Sequence, residues 1–188
     1  MQGINRSTLM KAHALLAAFI LPVAIMFFVT GALYTWGIKG GYDTSTHDLP
    51  LEAPLQADLV ELLIVAKNAL KQKNIHAPSG HAKVKRIGSS FMLEWTGSMR
   101  DITLEPTSKP LIAKLSIKNT TWHRRFVQLH KAKGGTPFKV YAALFSAALL
   151  LILLTGFTMA WMTPSLRKLT MVATSLGVAV FLIIVASS

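Results

Sequence analysis

VYAALFSAALLLILLTGFTMAWMTPSL, running from Val140 to Leu166, decides the fold: 27 residues between Lys139 and Arg167 without one charged side chain. As a helix rising 1.5 Å per residue it is long enough to cross about 30 Å of hydrocarbon. Tyr141 and Trp161 lie near its two ends, where an aromatic belt meets the membrane interfaces. Working outward, AHALLAAFILPVAIMFFVTGALYTW fills a second charge-free run between Lys11 and Lys39, and LTMVATSLGVAVFLIIVASS a third from Leu169 to Ser188. The expected spans are residues 12–38, 138–163 and 168–187.

The first run follows Arg6 and Lys11, as a signal peptide would, but its apolar core is too long and it ends in Tyr34 and Trp36 without a small-residue cleavage site. It therefore reads as a retained helix, kinked mildly at Pro22. Ala143 with Ala147, and Ala173 with Gly177, give the second and third helices small faces for close packing.

Composition narrows the function classes. With 52% hydrophobic and 15% charged residues the chain has more apolar surface than a solvated coil carries, so disorder is excluded. The absence of cysteine excludes disulfides, iron–sulfur clusters, thiolate zinc sites and cysteine nucleophiles.

A formal net charge of +12 suggests nucleic acid until the charges are placed. All eight acids lie between Asp43 and Glu105, balanced by Lys67, Lys71, Lys73, Lys83, Lys85, Arg86 and Arg100. From Pro106 to Lys139 there are eight bases and no acid, and this excess leads straight into the second span. Lipid replaces nucleic acid as the expected partner. Arg6 and Lys11 before the first span, and Arg167 and Lys168 between the second and third, place the N-terminus in the cytoplasm, with 1–11 a cytoplasmic tail and 39–138 outside. The basic run before the second span argues the other way. It belongs to a loop too long for the positive-inside rule to govern, so the short segments decide.

Between the first two spans, Gly40 to Pro54 reads as a turn-rich linker. QADLVELLIVAKNALKQKNI carries Leu59, Leu62, Leu63, Ala66, Ala69 and Leu70 at helical spacing, and HAKVKRI, SFMLEW, DITLEP and LIAKLSI read as short strands. A helix on a small antiparallel sheet is the expected product. The fold class is thus an α-helical membrane protein with three transmembrane helices and a small α+β segment, 39–118, inserted between the first two. No phosphate loop, metalloprotease motif or nucleophile elbow occurs in it.

NTTWHRRFVQLHKAKGG, from Asn119 to Gly135, is expected to be a basic amphipathic helix at the lipid interface. At 100° per residue Trp122, His123, Phe126, Val127, Leu129 and His130 share one side and Arg124, Arg125, Gln128 and Lys131 the other. Two histidines fall on the apolar side.

The first span ends in TGALYTW and the second contains TGFTMAW, sharing T-G-x4-W at Thr30, Gly31, Trp36 and Thr155, Gly156, Trp161. Each copy has a histidine upstream, His13 17 residues before Thr30 and His130 25 residues before Thr155. With ITLEPTSKPL as a closing hairpin and WHRRFVQLHKAKGG leading into the second copy, the chain resembles the bacterial PepSY-associated transmembrane helix family, iron-regulated inner-membrane proteins. The resemblance implies a bacterial inner membrane, a PepSY-like module in the periplasm, and kinship with haem-carrying ferric-siderophore reductases. At 188 residues with one PepSY-like segment, the chain is expected to be a half-sized relative or a subunit.

Histidines in membrane segments are functional candidates, and neutral imidazole suits haem iron. The expected haem b ligands are His130, then His13, then His123, with Arg124, Arg125 and Lys131 facing propionates or lipid phosphates. In the expected topology His13 and His130 lie on opposite sides of the bilayer, so they cannot bracket one iron. A second axial ligand then comes from another copy of the chain, a larger membrane partner, or a methionine such as Met159, Met162 or Met171. His47, His76 and His81 read as surface residues of the soluble segment. Two functions follow: a haem-dependent ferric reductase, or subunit of one, passing electrons to a periplasmic Fe(III) acceptor such as a ferric siderophore; or a non-enzymatic PepSY accessory protein that binds a partner.

Overall fold

The computed structural model describes residues 5–188. Residues 1–4 of the expected tail lie outside the described residues, and from Arg6 onward that tail is already helical, since nothing between Arg6 and His13 breaks the turn. Ten elements follow in order: α1 (Arg6–Thr35), β1 (Tyr42–Pro50), α2 (Leu59–Gln72), β2 (Ala82–Ile87), β3 (Ser90–Thr96), β4 (Arg100–Pro106), β5 (Ile112–Thr120), α3 (Trp122–His130), α4 (Gly135–Met162) and α5 (Pro164–Ser187). They form two compact units, one of residues 25–142 and one of the described residues up to 24 with 143–188.

Three helices, α1, α4 and α5, are long and apolar enough to cross a membrane. Each starts a few residues earlier than the charge-free runs suggest, because basic residues at a helix end continue the turn as readily as apolar ones. Arg167 and Lys168, read as a connector, sit inside α5. The break between α4 and α5 is Thr163 alone, followed by Pro164 in the first turn, where proline costs no hydrogen bond. The Arg167 guanidinium returns to donate to the Trp161 carbonyl at 3.1 Å, satisfying one of the acceptors that α4 leaves open at its C-terminus. α5 buries none of its side chains.

In residues 25–142 the centre is a five-stranded antiparallel sheet in the order β1-β5-β4-β3-β2. Alternation along three strands puts Leu93 and Trp95, Ile102 and Leu104, and Ala113, Leu115 and Ile117 on one face. Leu62, Ala66, Ala69 and Leu70 of α2 cover that face at helical spacing. Each fully buried leucine or isoleucine there contributes about 1.5–3 kcal/mol. Asp58 caps α2 by accepting from the Val60 and Glu61 amides at 3.0 and 2.9 Å.

The stretch expected as a linker contains β1. YDTSTHDLP has no run of apolar residues, and all nine of its residues pair with β5, from Tyr42 opposite Thr120 to Pro50 opposite Ile112. Its proline and two aspartates suit an edge, where one side of the backbone stays solvated. Asn119 and Thr120, assigned to the interfacial helix, belong to β5, and Gly135 to α4.

Candidate functional site

Thr121 starts α3 by accepting from the Arg124 amide, as its place before an amphipathic run requires. The helix then docks with the side expected to be wet. Gln128 is fully buried; its Nε2 donates to the Tyr42 hydroxyl and to Asp101 Oδ2, each at 3.0 Å. Tyr42 in turn donates to Asp101 Oδ2 at 2.7 Å, and the Gly97 amide donates to Asp101 Oδ1 at 3.1 Å. Arg124 stacks its guanidinium on the Tyr42 ring, with Nη2 donating to the Tyr42 hydroxyl at 2.9 Å and Nη1 to the Lys39 carbonyl at 3.2 Å.

The expected division of α3 into an apolar lipid side and a solvated polar side is therefore corrected. Arg124 and Gln128 face a polar socket made by β1 and β4, while Trp122 and Phe126 are exposed. Both terminal nitrogens of Arg124 are engaged in this socket, whereas Arg125 is exposed. His123 lies beside Trp122, ring centroids 5.7 Å apart, with its Nε2 buried and without a partner among the described residues.

Burial, reinforced by the Asp101 carboxylate, raises the Tyr42 phenol above its usual value against the opposing pull of Arg124. The folded protein then holds that proton where the unfolded chain has lost it. The contribution is complete below about pH 10 and disappears as pH rises through the folded value. Unfolding of the full chain in detergent, followed against pH, should show an alkaline loss of stability that is smaller in Tyr42→Phe.

His130 closes α3, and Nδ1 of its ring is 2.9 Å from Thr30 Oγ1 of α1. Thr30 is buried, and its hydroxyl is bonded to the Met26 and Phe27 carbonyls one turn back. The Phe27 ring lies 4.9 Å from the imidazole. A Cβ on Gly31 would stand 3.2 Å from His130 Cε1, so the absence of a side chain there makes room for the ring.

The other unit contains the same arrangement with the repeats exchanged. Nδ1 of His13 is 2.9 Å from Thr155 Oγ1, whose hydroxyl is bonded to the Leu151 and Ile152 carbonyls, and a Cβ on Gly156 would stand 3.5 Å from His13 Cε1. Each histidine thus serves the T-G pair of the other copy. Sequence placed each histidine upstream of its own T-G; the exchange depends on packing between distant segments and leaves no mark in local spacing.

The donor set limits what such a site can hold. Among the described residues no three His, Asp or Glu side chains gather around a common point, so a metal ion needing three or four protein ligands has none to use. A haem brings four nitrogens of its own and asks the protein for one or two axial ligands. An imidazole fixed through Nδ1, with Nε2 unengaged by any described residue and a glycine beneath the ring, fits that demand. Near His130, the Lys39 and Lys131 ammoniums stand 5.1 and 5.7 Å from the Tyr34 ring centroid and supply positive charge. Met162 and Met171, considered as second ligands, are exposed.

No curated protein and no solved structure matches the chain closely enough to add a relative. The sequence model described as the PepSY-associated TM region matches residues 2–163, taking in α1, the sheet segment, α3, α4 and both histidine–threonine pairs. A multi-pass chain with three helices fit to cross a membrane, a helix-covered sheet between the first two and a match over most of its length belongs to the PepSY-associated TM family.

Proposed function

We propose that the protein is a haem b electron carrier of a bacterial inner membrane, of the ferric-reductase type, with the sheet segment in the periplasm. The observation that carries the reading is the pair of histidines, His13 in α1 and His130 at the end of α3, each tied through Nδ1 to a threonine and with Nε2 unengaged by any described residue. When bound, haem supplies one-electron chemistry. The chain's own part is to hold it: His130 and His13 through Nε2, with Arg125 and Lys131 offering charge to propionates or lipid phosphates. The Thr30 and Thr155 bonds keep the rings from turning. A further ligand would come from another copy of the chain or a membrane partner, and a ferric siderophore is the acceptor class.

Full-length protein purified from haem-replete cells should show a Soret band that shifts on reduction. His13→Ala and His130→Ala should each lower the haem content, and the double variant should lose it. Wild-type protein with no Soret band and no extractable haem would sink the proposal.

That α5 buries none of its side chains favours a second reading, an accessory protein packed against another membrane protein. Loss of cellular iron reduction in the double histidine variant, at normal abundance, counts against it.

A further inference from the structure

Whether a histidine ligates metal depends on which ring nitrogen carries its proton, and a neutral imidazole offers a lone pair on one nitrogen only. In both pairs the partner of Nδ1 is a hydroxyl with a single hydrogen. That hydrogen is committed: Thr155 Oγ1 lies 2.7 Å from the Leu151 carbonyl and 3.1 Å from that of Ile152, and Thr30 Oγ1 is bonded to those of Met26 and Phe27. A carbonyl can only accept, so the threonine hydroxyl has its lone pairs left for the histidine. The 2.9 Å contacts then run from Nδ1–H to Oγ1, which puts the lone pair of each ring on Nε2.

We infer that Thr30 and Thr155 are positioning residues that hold His130 and His13 in the Nδ1–H tautomer and present Nε2 to a metal. The ligand role of Nε2 rests on the haem reading above; the tautomer does not. The assignment crosses the repeats, Thr30 acting on His130 and Thr155 on His13. Each threonine is fixed in turn by its helix, since bonding to the carbonyl one turn back sets the hydroxyl's direction. Gly31, next to Thr30, leaves space against His130 Cε1, where a Cβ would press at 3.2 Å, while a Cβ at Gly156 would make only ordinary contact with His13 Cε1 at 3.5 Å.

The tautomer is measurable without any haem. In the full chain labelled with ¹⁵N-histidine and placed in lipid, two of the six histidines should show protonated Nδ1 and bare Nε2. Thr30→Val should move the His130 signals alone, Thr155→Val the His13 signals alone, and the serine variants should restore both. Where haem is retained, each valine variant should weaken its site about 10- to 100-fold, and serine should recover most of that. Protonation on Nε2 in the wild type, or tautomers indifferent to valine, overturns the inference, because a plain helix-pairing bond donated by the hydroxyl would give that pattern. Nδ1–H tautomers in a wild-type protein that never takes up haem leave the positioning role standing and remove the haem reading instead.

Discussion

Asp101→Ala is expected to destabilise the sheet segment by about 4 kcal/mol, since burial leaves three donors without an acceptor. Those donors are the Tyr42 hydroxyl, the Gln128 amide and the Gly97 backbone N–H, and Gln128 has no path to water at all. The carboxylate is held by neutral donors, with the Arg124 charge reaching it only through Tyr42, so no cation is set free to compensate its loss. Asp101→Asn keeps an acceptor oxygen and should cost about half as much. Denaturant unfolding of the full chain in detergent, followed through the buried Trp95, measures both. Because Tyr42 and Gln128 share this acceptor, Asp101→Ala combined with Tyr42→Phe should cost clearly less than the two alone would total. A loss under about 1 kcal/mol for Asp101→Ala would show that α3 does not depend on this socket.

Gly40→Ala should be nearly as damaging, for two independent reasons. The residue has φ +68°, a left-handed conformation that costs a non-glycine about 1–2 kcal/mol. An added Cβ would also lie 2.6 Å from the Arg124 amide nitrogen and 2.9 Å from its Cα, atoms of a helix backbone that cannot swing aside as a side chain end would. Relief requires α3 to lift from its socket, which would draw His130 away from Thr30. Hydrogen exchange should therefore report faster opening of α3, and the ¹⁵N signals of His130 should change while those of His13 stay put. Exchange in α3 at wild-type rates would show that the contact relaxes by other means. Gly37, also at positive φ but with open space around its Cβ position, is the control: Gly37→Ala should cost only the conformational part.

The spans were readable because charge is excluded from lipid-facing helices, and three runs without Lys, Arg, Asp or Glu are hard to place anywhere else. β2 to β5 were readable from turn residues and alternating apolar positions. β1 was not, because its pairing energy comes from β5 and its nine residues show no apolar period of their own. The faces of α3 failed for a related reason. A helical wheel ranks Arg124 and Gln128 as solvent-seeking, but Tyr42, 86 positions before Gln128, and Asp101 supply the partners that make their burial tolerable. Within the candidate site, His13, His130 and both T-G pairs stand out in the sequence as motifs. That the copies exchange partners, and that each threonine's only hydrogen is already spent on its own helix, is visible only in three dimensions.

That exchange also sets a calendar for biogenesis. A chain made from its N-terminus can join Thr30 to His130 once the segment through α3 has emerged, across 100 residues, whereas His13 waits for a threonine 142 residues downstream. The His13 imidazole therefore emerges long before its threonine, so an interruption of synthesis between His130 and Thr155 would leave a half-assembled protein with one polar ring partnered and the other stranded.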